Sequence, residues 1–258
     1  MSTIKHILSL LLAASTGFIF TGCYKVIDYA NHHKGDEMKL CRIEKMVFDQ
    51  NENATATISY NANNDPISIQ QGSSALFMPL DYYFRYDQQN RLTDYMLVYY
   101  HMTGAMVWHR YSYPDKKTIV DTQFNYVGII TDPPPHSAPT FYVVKYNLDQ
   151  WGRIIRSTEG TSVANFTYDD EGNLVRPGIA YDHKINILRT SRTWMFIRKD
   201  YSMNNPLPAT VKIDNYNVYG LPLQYTSLGG ATNNELFGYS YTTASVVYAC
   251  DNSIVPSK

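Results

Sequence analysis

Charge is scarce in this sequence and nearly cancels: 22 Lys and Arg stand against 23 Asp and Glu. Such a balance builds no field for nucleic acid or an anionic membrane surface, so neither is expected as a partner. Cysteine is limited to three residues, and no Cys, His and carboxylate grouping has the spacing of a zinc site. HExxH, GxSxG and phosphate-loop motifs are absent. Apolar stripes at a 3.6-residue period are missing, which argues against a helical fold. After residue 20 no apolar run approaches 18 residues, so no later segment is expected to cross a membrane as a helix. No cofactor and no metal are expected, and the chain is read as non-catalytic.

What is present begins at the N-terminus. Lys5 and His6 precede an apolar run, Ile7 to Phe20, that is too short to span a bilayer and has the form of a signal-peptide core. It ends in FTGC, where small residues before Cys23 resemble a bacterial lipobox. The resemblance implies removal of residues 1–22 and acylation of Cys23, and so a partner in the membrane reached through lipid. Each buried CH₂ of the acyl chains contributes about 0.8 kcal/mol to the hold. Residues 23–39 are polar and without period, and are read as a tether. A single β domain is expected over 40–250, with a tail at 251–258.

Strand signals dominate that span. The chain holds 23 Tyr, and β-branched residues are frequent. Tyr82, Phe84 and Tyr86 alternate with Arg85 and Asp87; Tyr142, Val144 and Tyr146 line one face, opposed by Lys145. A period of two means one buried and one wetter face. Several of the segments are too short or too polar for the lipid-facing band of an outer-membrane barrel. The fold class expected is all-β: an antiparallel meander, strongly curved or closed into a soluble barrel filled by its own side chains.

One phrase recurs. FTYDDEGNLVR (166–176) has looser copies at FRYDQQNRLTDY, VKYNLDQWGRII and ISYNANNDPISI. Its chemistry is that of a hairpin. Tyr168 ends a strand; Asp169 or Asp170 accepts backbone N–H groups, with Asp170 the expected turn former; Gly172 supplies positive φ; Leu174 restarts the return strand. Asp87 and Asn90 play these parts in the second copy, Asn being the next best residue for positive φ. Gly152 does so in a copy two residues longer, from Tyr146 to Ile154, and Gly220 in YGLPLQY.

These phrases resemble the YD repeats of Rhs-type proteins. With the lipobox, with YDHKIN (181–186) and with NNPLP (204–208), they also resemble envelope lipoproteins of unknown function built from degenerate YD-like hairpins with a porin-like β fold. The resemblance implies a fold and an outer-membrane address, on the periplasmic face or the cell surface. It carries no catalytic residues.

Other candidates are weaker. Cys41 and Cys250 are either a disulfide tying the first strand to the last or two buried thiols. His32 and His33 are expected to be solvated, and His101 and His109 to be core or sheet-face residues. DDEGN (169–173) lacks the spacing of a calcium loop. NAT (53–55) and NFT (165–167) match the glycosylation pattern. Asp49, Glu52, Asp94, Asp121, Glu159 and Asp214 are the carboxylates from which the fold would have to assemble a hydrolytic pair. Trp108 and Trp194 suit packing, whereas Trp151 sits in the turn DQWGR and is the candidate ligand contact. The Pro-rich stretch 131–140 reads as a projecting loop. The leading expectation is a lipid-anchored envelope protein with a scaffolding or ligand-binding role. A surface glycan-binding protein using Trp151 and the Pro-rich loop is the second, and a two-carboxylate hydrolase the third.

Overall fold

The computed structural model describes residues 33–49, 54–72, 80–99, 105–125, 140–228 and 235–250. Cys23, Glu52, Asn53, His32, His101, most of the Pro-rich stretch and the tail 251–258 lie outside them. The strands are β1 (Cys41–Phe48), β2 (Ala54–Tyr60), β3 (Pro66–Gln71), β4 (Leu80–Tyr86), β5 (Leu92–Tyr99), β6 (Ala105–Asp115), β7 (Thr118–Asn125), β8 (Thr140–Leu148), β9 (Ile154–Glu159) and β10 (Ser162–Asn165). They continue as β11 (Ala180–Ile185), β12 (Asn204–Leu207), β13 (Val211–Tyr216), β14 (Pro222–Ser227), β15 (Glu235–Leu236), β16 (Tyr239–Ser240) and β17 (Thr243–Cys250). A 3₁₀ turn (Ile187–Thr190) leads into one α-helix, α1 (Arg192–Arg198).

Thirteen strands form one antiparallel sheet in which β10 to β1 follow one another in chain order, then β17, β14 and β13. The expected all-β meander is therefore the architecture. The sheet does not close, because β10 and β13 remain as its two edges. The last strand lies beside the first. Cys41 and Cys250 are register partners at that seam and are joined by a disulfide.

Burial follows the pleat. On β4 the side chains of Leu80, Tyr82 and Phe84 are buried and their neighbours are not. On β1 the inward phase shifts from Cys41 and Ile43 to Met46 and Phe48, because the register slips between Ile43 and Lys45. The inner face is covered by α1 and by the β15–β16 hairpin. Phe196 packs edge-on against Tyr111 of β6 and Tyr146 of β8, while Trp194 meets Phe84 of β4 and Phe237. On a flat sheet β4 and β8 would stand roughly 19 Å apart, at about 4.8 Å per strand step. A helix of roughly 10 Å length reaches both only because the sheet curls around it. The helix is a departure from the sequence expectation. The interior is filled by a helical plug as well as by Tyr and Val side chains. Ser191 caps it by accepting from Thr193 N, and Lys199 ends it in the left-handed conformation (φ 52°).

The recurring phrase proves to be one turn used five times. In Asn61–Asp65, Asp87–Arg91, Asp149–Arg153, Asp169–Asn173 and Asn217–Leu221, the first residue's N–H donates to the carbonyl of the fifth. Its side-chain oxygen also accepts the fifth residue's N–H. The fourth residue has positive φ: Asn64, Asn90, Gly152, Gly172 and Gly220. The pair outside each turn is Tyr60 with Pro66, Tyr86 with Leu92, Leu148 with Ile154, Tyr168 with Leu174, and Tyr216 with Pro222. The copy near Tyr146 is thus no longer than the rest; Leu148 takes the tyrosine's place.

A second regularity links the copies. The carbonyl of each closing residue receives a tyrosine hydroxyl from further along the chain. Tyr86 donates to Pro66, Tyr113 to Leu92, Tyr168 to Ile154, Tyr181 to Leu174 and Tyr248 to Pro222. These carbonyls lie just beyond the end of the neighbouring ladder, where the sheet offers them no N–H. Strand directions alternate, so all five turns fall at one end of the sheet. The start of β1 and the end of β17 lie at that end too.

Candidate functional site

The site is built at the tight-turn end, where the chain enters the fold. Residues 33–39, expected as part of the tether, are instead packed against the domain. Arg189, fully buried, donates through Nη1 to the Lys34 carbonyl (2.9 Å) and through Nη2 to those of Asp36 (2.6 Å) and His33 (3.3 Å). Met38 N returns a bond to the Arg189 carbonyl (2.6 Å). Arg192 adds an ion pair to Asp36 (2.9 Å), and its N–H donates to Glu37 (2.9 Å). Lys34 Nζ donates to the carbonyl of Asp170 (3.0 Å). Gly35 lies so close under Trp151 that a Cβ there would overlap the Trp151 carbonyl. Burial lowers the Arg189 pKa to about 10, so the guanidinium is still charged at neutral pH.

This strap forms one wall of a cleft of about 1000 Å³. The opposite rim is supplied by the turns after β2, β4 and β6, through Asn63, Gln89, Asn90 and Lys116. The floor is Leu92, Ile119, Leu148 and Phe196. Four carboxylates line it: Asp36, Glu37, Asp65 and Asp115. Four cations match them: Lys39, Arg91, Lys116 and Arg192. Most are engaged. Lys39 pairs with Glu37 (3.1 Å), and Arg91 is held by Asp87 (2.7 Å) while lying over the Tyr113 ring (4.4 Å to its centre). Desolvation raises the Asp65 pKa against the pull of its bond from Asn61.

The residues singled out in the sequence are distributed differently. Asp87, Asn90, Gly152, Gly172 and Gly220 occupy the turn positions described above. Asp170 does not do what was expected of it. Asp169 accepts the Asn173 N–H (2.8 Å), and Asp170 contributes only its carbonyl, to Lys34. The reason is spacing: the acceptor must precede the positive-φ residue by three, and only Asp169 does. Trp151 is 37% exposed, but its ring carries Arg153 (4.8 Å) and Lys34 (6.0 Å), so it serves the strap. Trp108 is fully buried on the outer face beside the guanidinium groups of Arg85 and Arg110, and donates to Asp94 (2.8 Å).

The candidate carboxylates do not converge. Asp49 accepts from Thr243 N, Asp94 from Trp108, and Asp214 from Thr226. Asp121, almost fully buried, lies 3.0 Å from His109 Nδ1 and accepts from Tyr146 (3.3 Å) and Gln123 (3.2 Å). Lys199 stands over the Tyr146 ring, and its burial lowers its pKa against the pull of Asp121. This cluster satisfies a buried carboxylate on the inner face of the sheet. Among the described residues no group of three or more His, Cys, Asp or Glu is placed to hold a metal ion.

Arg189, Arg192 and Glu37, which build the strap and its wall, carried no signal in the sequence beyond the Ser191 cap before an apolar run. Arg189 is one Arg among many until three carbonyls more than 150 positions away are brought to it.

No family model matches the chain, and no curated protein does. Among solved structures, a porin-like protein from Bacteroides uniformis ATCC 8492 is similar at a TM-score of 0.22 and 8% identity, over 83% of this chain and 99% of that one.

Proposed function

We propose that this chain is a lipid-anchored protein of the bacterial cell envelope that binds a ligand in the cleft at its tight-turn end and does no chemistry on it. One observation carries the reading. The strap clamped by Arg189 starts ten positions after Cys23, and the same strap is a wall of the cleft. Anchor and cleft are therefore neighbours, within about 35 Å of chain at full extension. The state of the cleft's carboxylates supports binding over hydrolysis. Asp36 and Glu37 are tied to cations, Asp65 accepts from Asn61 and Asp115 from Lys117 N, and a general acid or base needs a free oxygen near the substrate.

The test has two arms, both on the full chain in the cell that makes it. The first is labelling with an alkyne fatty acid, followed by fractionation of wild type and Cys23→Ala. Label and membrane association in the wild type, both lost in the variant, are expected; an unlabelled wild type refutes the anchor. The second is protease treatment of intact cells with a periplasmic protein as control. It assigns the domain to the surface or the periplasm.

A further inference from the structure

We propose that the ligand of the tight-turn cleft is a neutral saccharide. The inference rests on the reading of that cleft as a binding site and adds its chemistry. Charge is the first ground. The lining cations and carboxylates are equal in number, so the cleft offers no net field to an anion or a cation. Free groups are the second. Gln89 and Lys116 make no side-chain hydrogen bond among the described residues, and Asn90 Nδ2 is left over once its oxygen has accepted from Asn63. These donors and acceptors stand on adjacent hairpin turns at the rim, above the apolar floor. Vicinal hydroxyls, each both donor and acceptor, on a ring with an apolar C–H face match such an array.

The third ground excludes a peptide added to the sheet as a strand. β5 and β7, which carry Leu92 and Ile119 of the floor, are interior strands paired on both sides. No open strand edge is offered for a peptide to join. Trp151, the ring expected to stack on a glycan, is occupied by Arg153 and Lys34, so the saccharide is assigned to the cleft instead.

The test is calorimetric titration of the full-length protein, in detergent, with neutral hexasaccharides of glucose, mannose and xylose. Charged counterparts, oligogalacturonate and chitosan hexamer, are titrated beside them. Vesicles of phosphatidylcholine with and without a glucosyl lipid separate a free glycan from a sugar displayed on a membrane. Binding of a neutral sugar, free or displayed, is expected. Gln89→Ala and Lys116→Ala, both at exposed positions, are each expected to weaken it about threefold to tenfold, the worth of one hydrogen bond, with the melting midpoint unchanged. Tighter binding of a charged sugar overturns the class while leaving the cleft as a site. Silence of every neutral probe at millimolar concentration overturns the saccharide, and leaves the anchor to be judged by labelling alone. Neutral-sugar binding that ignores both substitutions overturns the placement.

Discussion

The hydroxyl of Tyr86 lies 2.7 Å from the carbonyl oxygen of Pro66 and 2.9 Å from the hydroxyl of Thr193. One atom thus ties a hairpin turn, the next strand and the helix that plugs the sheet. Tyr86→Phe keeps the ring and removes the tie. It leaves two buried polar groups without this partner, and a loss of about 1–3 kcal/mol is expected. Urea denaturation of wild type and variant measures it; an unchanged midpoint would show the tyrosine hydroxyls to be incidental to the fold.

The buried tyrosines also set an alkaline limit. Burial pushes Tyr82 and Tyr241 up to about 12 and raises Tyr60, Tyr86, Tyr95 and Tyr248 as well. The unfolded chain releases its phenolic protons near pH 10 while the folded chain keeps them. The stability these groups contribute is complete below pH 10 and is lost as pH rises above it, by about 1.4 kcal/mol per pH unit for each such group. Melting midpoints should be flat from pH 7 to 9 and fall steeply between 10 and 12. The share of phenolate absorbance that belongs to the buried tyrosines should rise together with unfolding rather than before it.

Two adjacent acids offer a controlled comparison. Asp169→Ala removes the side-chain oxygen that accepts the Asn173 N–H, and about 0.5–1.5 kcal/mol should go with it. Asp170→Ala removes a carboxylate that holds nothing in the turn, and should stay within about 0.5 kcal/mol of wild type. Equal effects on thermal melting would contradict the assignment.

Arg189→Met should open the strap. Three carbonyls lose a charged donor, with a cost of at least about 2 kcal/mol. Limited trypsin digestion reads the consequence directly. Cleavage after Lys34 and Lys39 should become faster in the variant, while the sheet, read by circular dichroism, persists.

What was legible in the sequence was local. Alternation at Tyr82, Phe84 and Tyr86 marks a strand because the pleat imposes a period of two on whatever is half-buried. The turn phrase was legible because positive φ demands Gly or Asn at one position and an Asx acceptor three before it. Asp170 shows the limit: composition admits either acid, and only the geometry of the turn separates them. The helix was hidden by its length, since seven residues complete barely two turns and cannot display a 3.6-residue period. The cleft was hidden for a different reason. Its walls come from residues 36–40, 63–65, 86–92, 113–119 and 192–201, and only the curling of the sheet brings them to one place.

The seam disulfide has a mechanical meaning. Pulling an antiparallel strand from its end is the soft direction, since ladder pairs yield one at a time as in a zipper. Cys41 is the first residue of β1 and Cys250 the last of β17, so the bond sits where such a zipper would start. Tension applied ahead of residue 41 first strips the strap from Arg189, then meets a covalent stop. Beyond it, residues 41–250 form a closed ring. A domain dragged by its N-terminus in this way gives up its cleft wall before it gives up a strand.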